Sequence, residues 1–196
     1  MKSLAVLSLK GGVGKTTLAV HFAYFIHEAL QQTVVLLDGD PIRSSLRWHK
    51  RGKGFPFAVV PLGEDYGSFD WLVVDTEAHP SHQDIERIAE QVDIVVLPVT
   101  NIESLETAIE IQSLLGKASS LSLINMAPPF PQRDGQEMRI ALLEQGVSVA
   151  STMVRRSKAY ETAKLEGTST YYCSNRLGKA VWFEFDALAR EVMTRV

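Results

Sequence analysis

Cysteine is almost absent from this chain, which has Cys173 as its single thiol among 196 residues. One thiol excludes a disulfide within the chain, and it excludes an iron–sulfur or zinc centre held by several cysteines of the same chain. Long apolar runs are absent as well, since none approaches the roughly 18 to 20 residues that cross a bilayer. We therefore expect a cytoplasmic protein with no membrane association.

A strong net charge is also lacking, because the formal charge at pH 7 is only −3. Bulk electrostatics therefore gives no reason to expect binding to nucleic acid. The charge is uneven, however, since residues 150–196 carry eight lysines and arginines against five acidic residues. This quarter of the chain is therefore basic, whereas the rest of the chain is acidic. The length and the 45% hydrophobic content suit a single domain over residues 1–196.

Short apolar runs recur along the chain, and most are continuous rather than alternating, which is typical of parallel strands buried on both faces. They lie at 4–9, 33–37, 57–60, 71–74, 93–99, 121–125 and 147–154. Helical patterns between them lie at 16–30, 81–91, 102–115 and 135–145, and the stretch 127–136 is a loop rich in proline. Strands that alternate with helices predict an α/β fold: a three-layer sandwich with a mostly parallel twisted sheet and helices on both faces.

The stretch "SLKGGVGKTT" at residues 8–17 follows the first run and precedes a helix. Its glycines let the backbone amides turn towards phosphate oxygens, and the start of the helix adds its dipole. In such a loop Lys15 reaches the β- and γ-phosphates and the Thr16 hydroxyl binds Mg²⁺. The nucleotide-binding residues predicted from the loop are Gly11, Gly12, Val13, Gly14, Lys15, Thr16 and Thr17.

Three aspartates follow predicted strands, at the sheet edge where ligands of open parallel sheets bind. Asp75 ends "WLVVD" and is a candidate Mg²⁺ partner. Asp38 and Asp40 flank a glycine in "LLDGDP", which suits metal binding by Asp38 and orientation of the attacking water by Asp40. The alternative is that Asp-Gly-Asp-Pro only builds a turn.

These motifs together resemble the ParA/MinD family of P-loop ATPases. The family's deviant Walker A motif, K-G-G-x-G-K-[ST], is matched completely by residues 10–16. "LLDGDP" and "VVDTEAHP" are similar to its segments after the second strand and at Walker B, and "LINMAPP" is similar to its adenine-side segment with Asn125. "RRSKAYETAKLEGTS" resembles a late segment of small plasmid-type ParA proteins, so the resemblance extends from residue 2 to about residue 170.

The resemblance implies an ATPase that uses ATP with Mg²⁺ and forms a homodimer around the nucleotide. It also gives Lys10 a role, because the family's early lysine reaches the nucleotide of the partner subunit and stabilises the departing γ-phosphoryl group. The catalytic residues implied are Lys10, Lys15 and Asp40. Glu77 and His79 depart from the family, which usually has small residues or prolines after the Walker B aspartate.

Two branches of the family remain as alternatives. ParA-type proteins bind DNA nonspecifically and position plasmids, chromosomes or protein cargo on the nucleoid, with a ParB-like or cargo adaptor that stimulates hydrolysis. MinD-type proteins bind membrane through an amphipathic C-terminal helix. The helical pattern at 178–196 is amphipathic, but acidic residues on its polar face favour docking against the protein body.

The ParA branch is therefore expected, and contacts with DNA phosphates alone would suffice for its nonspecific DNA binding. The DNA-binding residues predicted are Arg155, Arg156, Lys158, Lys164, Arg176 and Lys179. A second basic cluster, at residues 43–53, is expected to contact either DNA or a partner protein. His79 and His82 are too few for a zinc site.

Overall fold

The centre of the molecule is a parallel sheet. The computed structural model describes residues 1–116, 118–128 and 133–196, and within them six strands pair in the order β3-β2-β4-β1-β5-β6, all of them parallel. The strands are β1 (Lys2–Val6), β2 (Val34–Asp38), β3 (Ala58–Pro61), β4 (Trp71–Asp75), β5 (Ile94–Val99) and β6 (Ser120–Ile124). The expectation of a mostly parallel sheet is confirmed.

Helices cover both faces of the sheet. They are α1 (Lys15–Ala29), α2 (Ser44–His49), α3 (His82–Gln91), α4 (Ile102–Leu115), α5 (Arg133–Glu144), α6 (Lys158–Glu166) and α7 (Gly178–Met193). One apolar core joins the sheet to α1 and α7, and a second joins the opposite face to α3, α4 and α5. The predicted three-layer sandwich is therefore confirmed.

Strand β5 shows why the apolar runs are continuous. Ile94 and Val96 belong to the core on the α1 side, whereas Val95, Leu97 and Val99 belong to the core on the other side. Successive side chains of a strand point to opposite faces, so a strand covered on both faces needs apolar residues at every position.

The expected seventh strand, at residues 147–154, is wrong. This segment runs beside β6 but forms one isolated bridge with it, between Val149 and Ser122, and a second bridge joins Ala127 to Arg155 beyond the ends of both segments. The ladder is interrupted at Ser151 and Thr152, whose amides donate to the carboxylate of Glu191 in α7 at 2.7 and 3.2 Å. Side-chain capture of two consecutive amides therefore replaces regular pairing here.

Two short helices were not predicted from the sequence. The first is α2, which begins after Arg43, a residue with a φ of 57°. The second is α6, where the Ser157 hydroxyl accepts a hydrogen bond from the amide of Ala159 at 3.2 Å and Gly167 ends the helix. The two helices meet at their C-terminal ends, where Gly52 and Gly167 lie so close that a Cβ on either would overlap the other segment's backbone.

The proline-rich loop expected at 127–136 is only partly described. Residues 129–132 lie outside the described part of the chain, and α5 begins directly after them, at Arg133. The helix was expected to begin two residues later, at Gly135, so the expected helix is confirmed, whereas the expected loop at residues 133–136 is wrong.

The C-terminal helix α7 docks against the protein body, as its acidic polar face indicated. Its apolar face is buried in the core: Val181, Trp182, Phe185, Leu188, Ala189 and Val192. Within the described ranges, no helix is long and apolar enough to cross a membrane.

His21 connects α1 to the C-terminal part of the chain. It is fully buried, and its Nδ1 lies 2.8 Å from the carbonyl oxygen of Thr17. Its Nε2 accepts a hydrogen bond from the amide of Thr170 at 3.2 Å, so the ring is neutral with its proton on Nδ1. Burial lowers the pKa of His21 to about 4, although the hydrogen bond to Thr17 acts in the opposite direction.

We expect His21 to make the fold sensitive to acid. Because the pKa of His21 is about 4 in the folded chain and about 6.5 in the unfolded chain, the unfolded state takes up the proton first as the pH falls. Between pH 7 and pH 5 the wild type should lose about 2 kcal/mol more stability than the His21→Gln variant. Urea unfolding of both proteins at the two pH values measures this difference, and equal losses would contradict it.

Candidate functional site

The glycine loop connects β1 to α1, as predicted. Gly12 and Gly14 have φ values of 79° and 93°, in the left-handed region that favours glycine. Helix α1 begins at Lys15, and its N-cap, Gly14, offers no side-chain cap. The first amides of α1 are therefore left for an external acceptor, and an anion is the natural one.

Asn125 fixes the shape of this loop from beneath. Its buried side-chain amide donates a hydrogen bond to the carbonyl oxygen of Val13 at 2.7 Å. A Cβ at position 14 would overlap the same amide group, so Gly14 is required by the packing as well as by its φ. The sequence predicted Asn125 as a nucleotide-side residue, and the structure shows that it also holds the loop.

Lys15 folds back over the loop from the first turn of α1. Its Nζ donates to the carbonyl oxygen of Lys10 at 3.3 Å, and the side chain is largely buried. Burial lowers the pKa of Lys15, while the nearby carboxylates of Asp75 and Asp40 act in the opposite direction. An anion bound at the loop would stabilise the charged form of this lysine.

Asp75 ends β4 with a carboxylate that is fully buried and, among the described residues, has no hydrogen-bond partner on either oxygen. Burial, followed by the charges of Asp38 and Asp40, raises the pKa of Asp75 to about 7, although Thr16 and Lys15 oppose that rise. A buried carboxylate without a partner is costly, and its hard oxygen atoms suit Mg²⁺. Asp75 and the Thr16 hydroxyl therefore fit the predicted Mg²⁺ site.

Asp38 lies beside Asp75, because the two residues are register partners on β2 and β4. Unlike Asp75, its carboxylate is engaged: it accepts hydrogen bonds from the amides of Asp40 at 3.2 Å and Leu46 at 3.0 Å. Asp40 in turn accepts from the amide of Ile42 at 2.8 Å. Asp-Gly-Asp-Pro thus forms a turn, as the alternative interpretation expected. Each carboxylate oxygen can still accept further bonds, so the predicted roles in metal binding and catalysis stay compatible with the turn.

Lys10 is not free at the mouth of the loop. Its ammonium group forms an ion pair with Glu103, in the first turn of α4. The Lys10 side chain is about one-third exposed and that of Glu103 is mostly exposed, so the pair lies at the surface. The pairing was not predicted, because nothing in the spacing of the two residues indicates it.

A cleft of about 460 Å³ opens beside the loop, between the end of β6 and α6. Gly12, Thr17, Asn125 and Tyr160 contribute to its walls. The Tyr160 hydroxyl is buried and has no hydrogen-bond partner in the described part of the chain, and burial raises the pKa of this tyrosine well above its ordinary value. The sequence did not identify Tyr160, although it lies in the late segment that resembled small ParA proteins.

The structure brings together four of the six basic residues that were predicted to bind DNA. They line a second cleft, of about 370 Å³, at the start of α6: Arg155, Arg156, Lys158 and Arg176. Arg155 is partly buried and forms an ion pair with Glu184 in α7, so it also supports the cleft.

The other two predicted residues do not line this second cleft, although Lys164 lines the cleft of about 460 Å³ together with Arg155 and Arg156. The Lys164 Nζ is 6.0 Å from the Trp48 ring centre, and the Lys179 Nζ is 5.3 Å from the Tyr171 ring centre. Lys164 adjoins the second basic cluster, since the Arg51 guanidinium donates to its carbonyl oxygen at 3.1 Å.

Comparisons with known proteins agree with this geometry. Residues 4–170 match the family model CbiA, described as the CobQ/CobB/MinD/ParA nucleotide binding domain. The chain is 29% identical over 203 residues to the maintenance of carboxysome distribution protein A of Gloeobacter kilaueensis, covering 96% of this chain and 93% of that one. A protein of the same name from Halothiobacillus neapolitanus is 26% identical, covering 97% and 96%.

Among solved structures, the MinC:MinD cell division protein complex of Aquifex aeolicus is similar, with a TM-score of 0.76 at 16% identity, covering 99% of this chain and 96% of that one. This likeness supports the fold. The family match confirms a nucleotide-binding domain, and the predicted ATP and Mg²⁺ are consistent with it.

We expect the Asp75→Asn variant to be more stable than the wild type without nucleotide, but only above acidic pH. The folded state raises the pKa of Asp75 from 3.8 to about 7, so folding becomes less favourable as the pH rises through that range. The gain from Asn should grow from near zero at pH 4 to at most about 4 kcal/mol at pH 8. Urea unfolding measures it, and Mg·ATP should stabilise only the wild type.

Asp70→Asn is the matched control, at the other end of the same strand. Hydrogen bonds from Thr33 lower the pKa of Asp70, so this variant should lose stability at neutral pH and match the wild type in acid. The same pH response in both variants would contradict the assignment of a buried, unpaired charge to Asp75.

Proposed function

Because the chain belongs to the CobQ/CobB/MinD/ParA nucleotide-binding domain family, we propose that it is a ParA-type positioning ATPase. In this proposal it binds ATP with Mg²⁺, forms a homodimer around the nucleotide and hydrolyses ATP slowly until a partner protein stimulates it. The observation that carries the proposal is the complete loop from Lys10 to Thr17, which lies beside the unpartnered carboxylate of Asp75.

Within one chain, the loop amides and Lys15 would hold the phosphates, while Thr16 and Asp75 would hold Mg²⁺. The metal ion, when bound, would neutralise charge that develops on the phosphates. Asp40 is the residue we assign to orienting the attacking water, because its charge lies near enough to act on both Lys15 and Asp75. Asp38 would support the metal site from the neighbouring strand.

The homodimer rests on Lys10. Lys15 already serves the chain's own phosphates, and Lys10 points away from them to the surface, where it pairs with Glu103. Exposed ion pairs are worth only about 0–1 kcal/mol, so Lys10 can exchange Glu103 for the nucleotide of a partner subunit at little cost. In that position its charge would stabilise the departing γ-phosphoryl group.

DNA binding rests on the cleft at the start of α6. Three of its basic residues are exposed, namely Arg156, Lys158 and Arg176. Clustered exposed cations in a shallow cleft suit the DNA backbone, and contacts with phosphates need no base-reading element. Such contacts would hold the ATP-bound dimer on the nucleoid without sequence preference.

The cargo is the least defined part of the proposal. Both curated relatives are named for carboxysome distribution, which favours a protein body over a plasmid or chromosome as the cargo. An adaptor on that body would stimulate hydrolysis. The MinD-like alternative gains no support from α7, whose apolar face is already buried against the core.

The composite site can be tested by mixing two inactive variants. Lys10→Ala should bind ATP almost normally but dimerise and hydrolyse poorly, whereas Lys15→Ala should not bind ATP. In a mixed dimer the Lys10→Ala chain holds ATP and the other chain supplies its own Lys10. Partial ATPase activity should therefore return on mixing. If mixed dimers are shown to form and remain inactive, Lys10 acts within its own chain.

DNA binding should depend on the cleft rather than on total charge. We expect Arg156→Ala with Arg176→Ala to weaken ATP-dependent DNA binding and to lower the slope of log K against log salt by about 2. Arg87→Ala with Arg133→Ala removes the same charge from exposed side chains on α3 and α5 and serves as the control. Equal effects of the two pairs on pelleting with random-sequence DNA would contradict the assigned surface.

A further inference from the structure

The segment that follows Asp75 runs beside the start of the glycine loop. Two side chains of this segment bind backbone carbonyl groups there. The Thr76 hydroxyl donates to the carbonyl oxygen of Val6 at 2.8 Å, and His79 Nδ1 lies 2.8 Å from the carbonyl oxygen of Leu9. Thr76 thus attaches the end of β4 to the end of β1, and His79 attaches the segment after β4 to the start of the loop.

The contact of His79 requires a proton on Nδ1, because a carbonyl oxygen only accepts hydrogen bonds. Both the neutral tautomer with Nδ1–H and the charged ring provide that proton. Thr76, whose contact is buried, attaches the segment at the strand end, whereas His79 makes its contact at the exposed edge of the loop. His79 therefore holds the Leu9 carbonyl group from the exposed edge, while the Leu9 side chain packs against the core on the α3–α5 side.

The backbone on either side of Leu9 is also fixed. The amide of Lys10 donates to the Ser8 hydroxyl at 3.1 Å, and the carbonyl oxygen of Lys10 accepts from Lys15 Nζ at 3.3 Å. The contact of His79 with Leu9 lies between these two. Lys10 leaves the loop from this short stretch, so its starting point depends on all three contacts.

We propose that His79 is a positioning residue for Lys10. It attaches the segment that begins at Asp75 to the loop residue that precedes Lys10, and so it aligns Lys10 for its action on the partner's nucleotide. It also couples the metal-binding end of this segment to Lys10. The proposal rests on the proposed function as an ATPase, and it assigns a role to a residue that departs from the pattern of the family.

The test compares His79→Ala, His79→Asn and His82→Ala. The Asn side chain carries its Nδ2–H at the same bond distance from Cβ as the Nδ1–H of His, but it does not exchange a proton near neutral pH. His82 is a nearby exposed histidine whose Nε2 lies 3.4 Å from the Glu110 carboxylate of α4, so His82→Ala controls for the loss of a histidine. Thermal unfolding of each variant confirms that it folds.

We expect His79→Ala to lower kcat by about tenfold or more while KM for Mg·ATP changes less than about twofold. Misplacement of Lys10 should weaken stabilisation of the transition state more than it weakens binding of the phosphates. ATP-dependent dimerisation should fall as well. His79→Asn should recover most of kcat, and His82→Ala should match the wild type. Adding His79→Ala to Lys10→Ala should cause no further loss, because the two residues act as one unit.

Several results would overturn the proposal. His79→Ala could behave as the wild type, His79→Asn could be as slow as His79→Ala, or the losses of the double variant could be additive. A wild type that does not hydrolyse ATP would defeat the proposed function instead. In that case ¹⁵N NMR of the imidazole nitrogens still decides the contact: a proton on Nδ1 of His79 is expected, and a neutral ring with its proton on Nε2 would refute it.

Discussion

A carboxylate buried without a hydrogen-bond partner is the constraint on which the rest of this site depends. Asp75 lies at the end of a central strand, where burial raises its pKa to about 7, so its ionised form lowers the stability of the fold. Every neighbour that lowers this cost belongs to the glycine loop, namely Thr16 and Lys15. The loop and the strand end are therefore one electrostatic unit, which a cation and a phosphate would stabilise in the proposed site.

Around that unit, several side chains hold backbone groups in place through hydrogen bonds. Asn125 holds the Val13 carbonyl group, Asp38 holds the amides of Asp40 and Leu46, and His79 holds the Leu9 carbonyl group. These contacts come from different strands and converge on one edge of the sheet. Such convergence is a property of parallel sheets, where the carboxyl ends of all strands meet at the same edge.

Much of this arrangement could be predicted from the sequence. The continuous apolar runs gave the parallel sheet, and the spacing of glycines and lysines gave the loop, because both are local patterns. The failures came from distant partners. Glu191 captures two amides and interrupts the expected seventh strand, and Glu103 pairs with Lys10 from α4. No local pattern records such contacts.

The basic residues show the same limit. Arg156 and Arg176 are 20 positions apart in the sequence, yet both line the cleft at the start of α6, whereas Lys164, which lies closer to Arg156 in sequence, is outside that cleft and borders α2. Position in the sequence therefore identified the basic region correctly, but only some of its residues lie on one surface. The short helices α2 and α6 were missed because tertiary packing, rather than a long periodic pattern, stabilises them.

The close approach of Gly52 and Gly167 has a consequence for how this surface can evolve. At that point main chain meets main chain, so the spacing between α2 and α6 leaves no room for any side chain. Substitutions elsewhere on the two helices can change the charge, size and flexibility of the exposed surface without changing that spacing. Natural variation can thus change the character of the exposed surface while the spacing of the two helices stays constant.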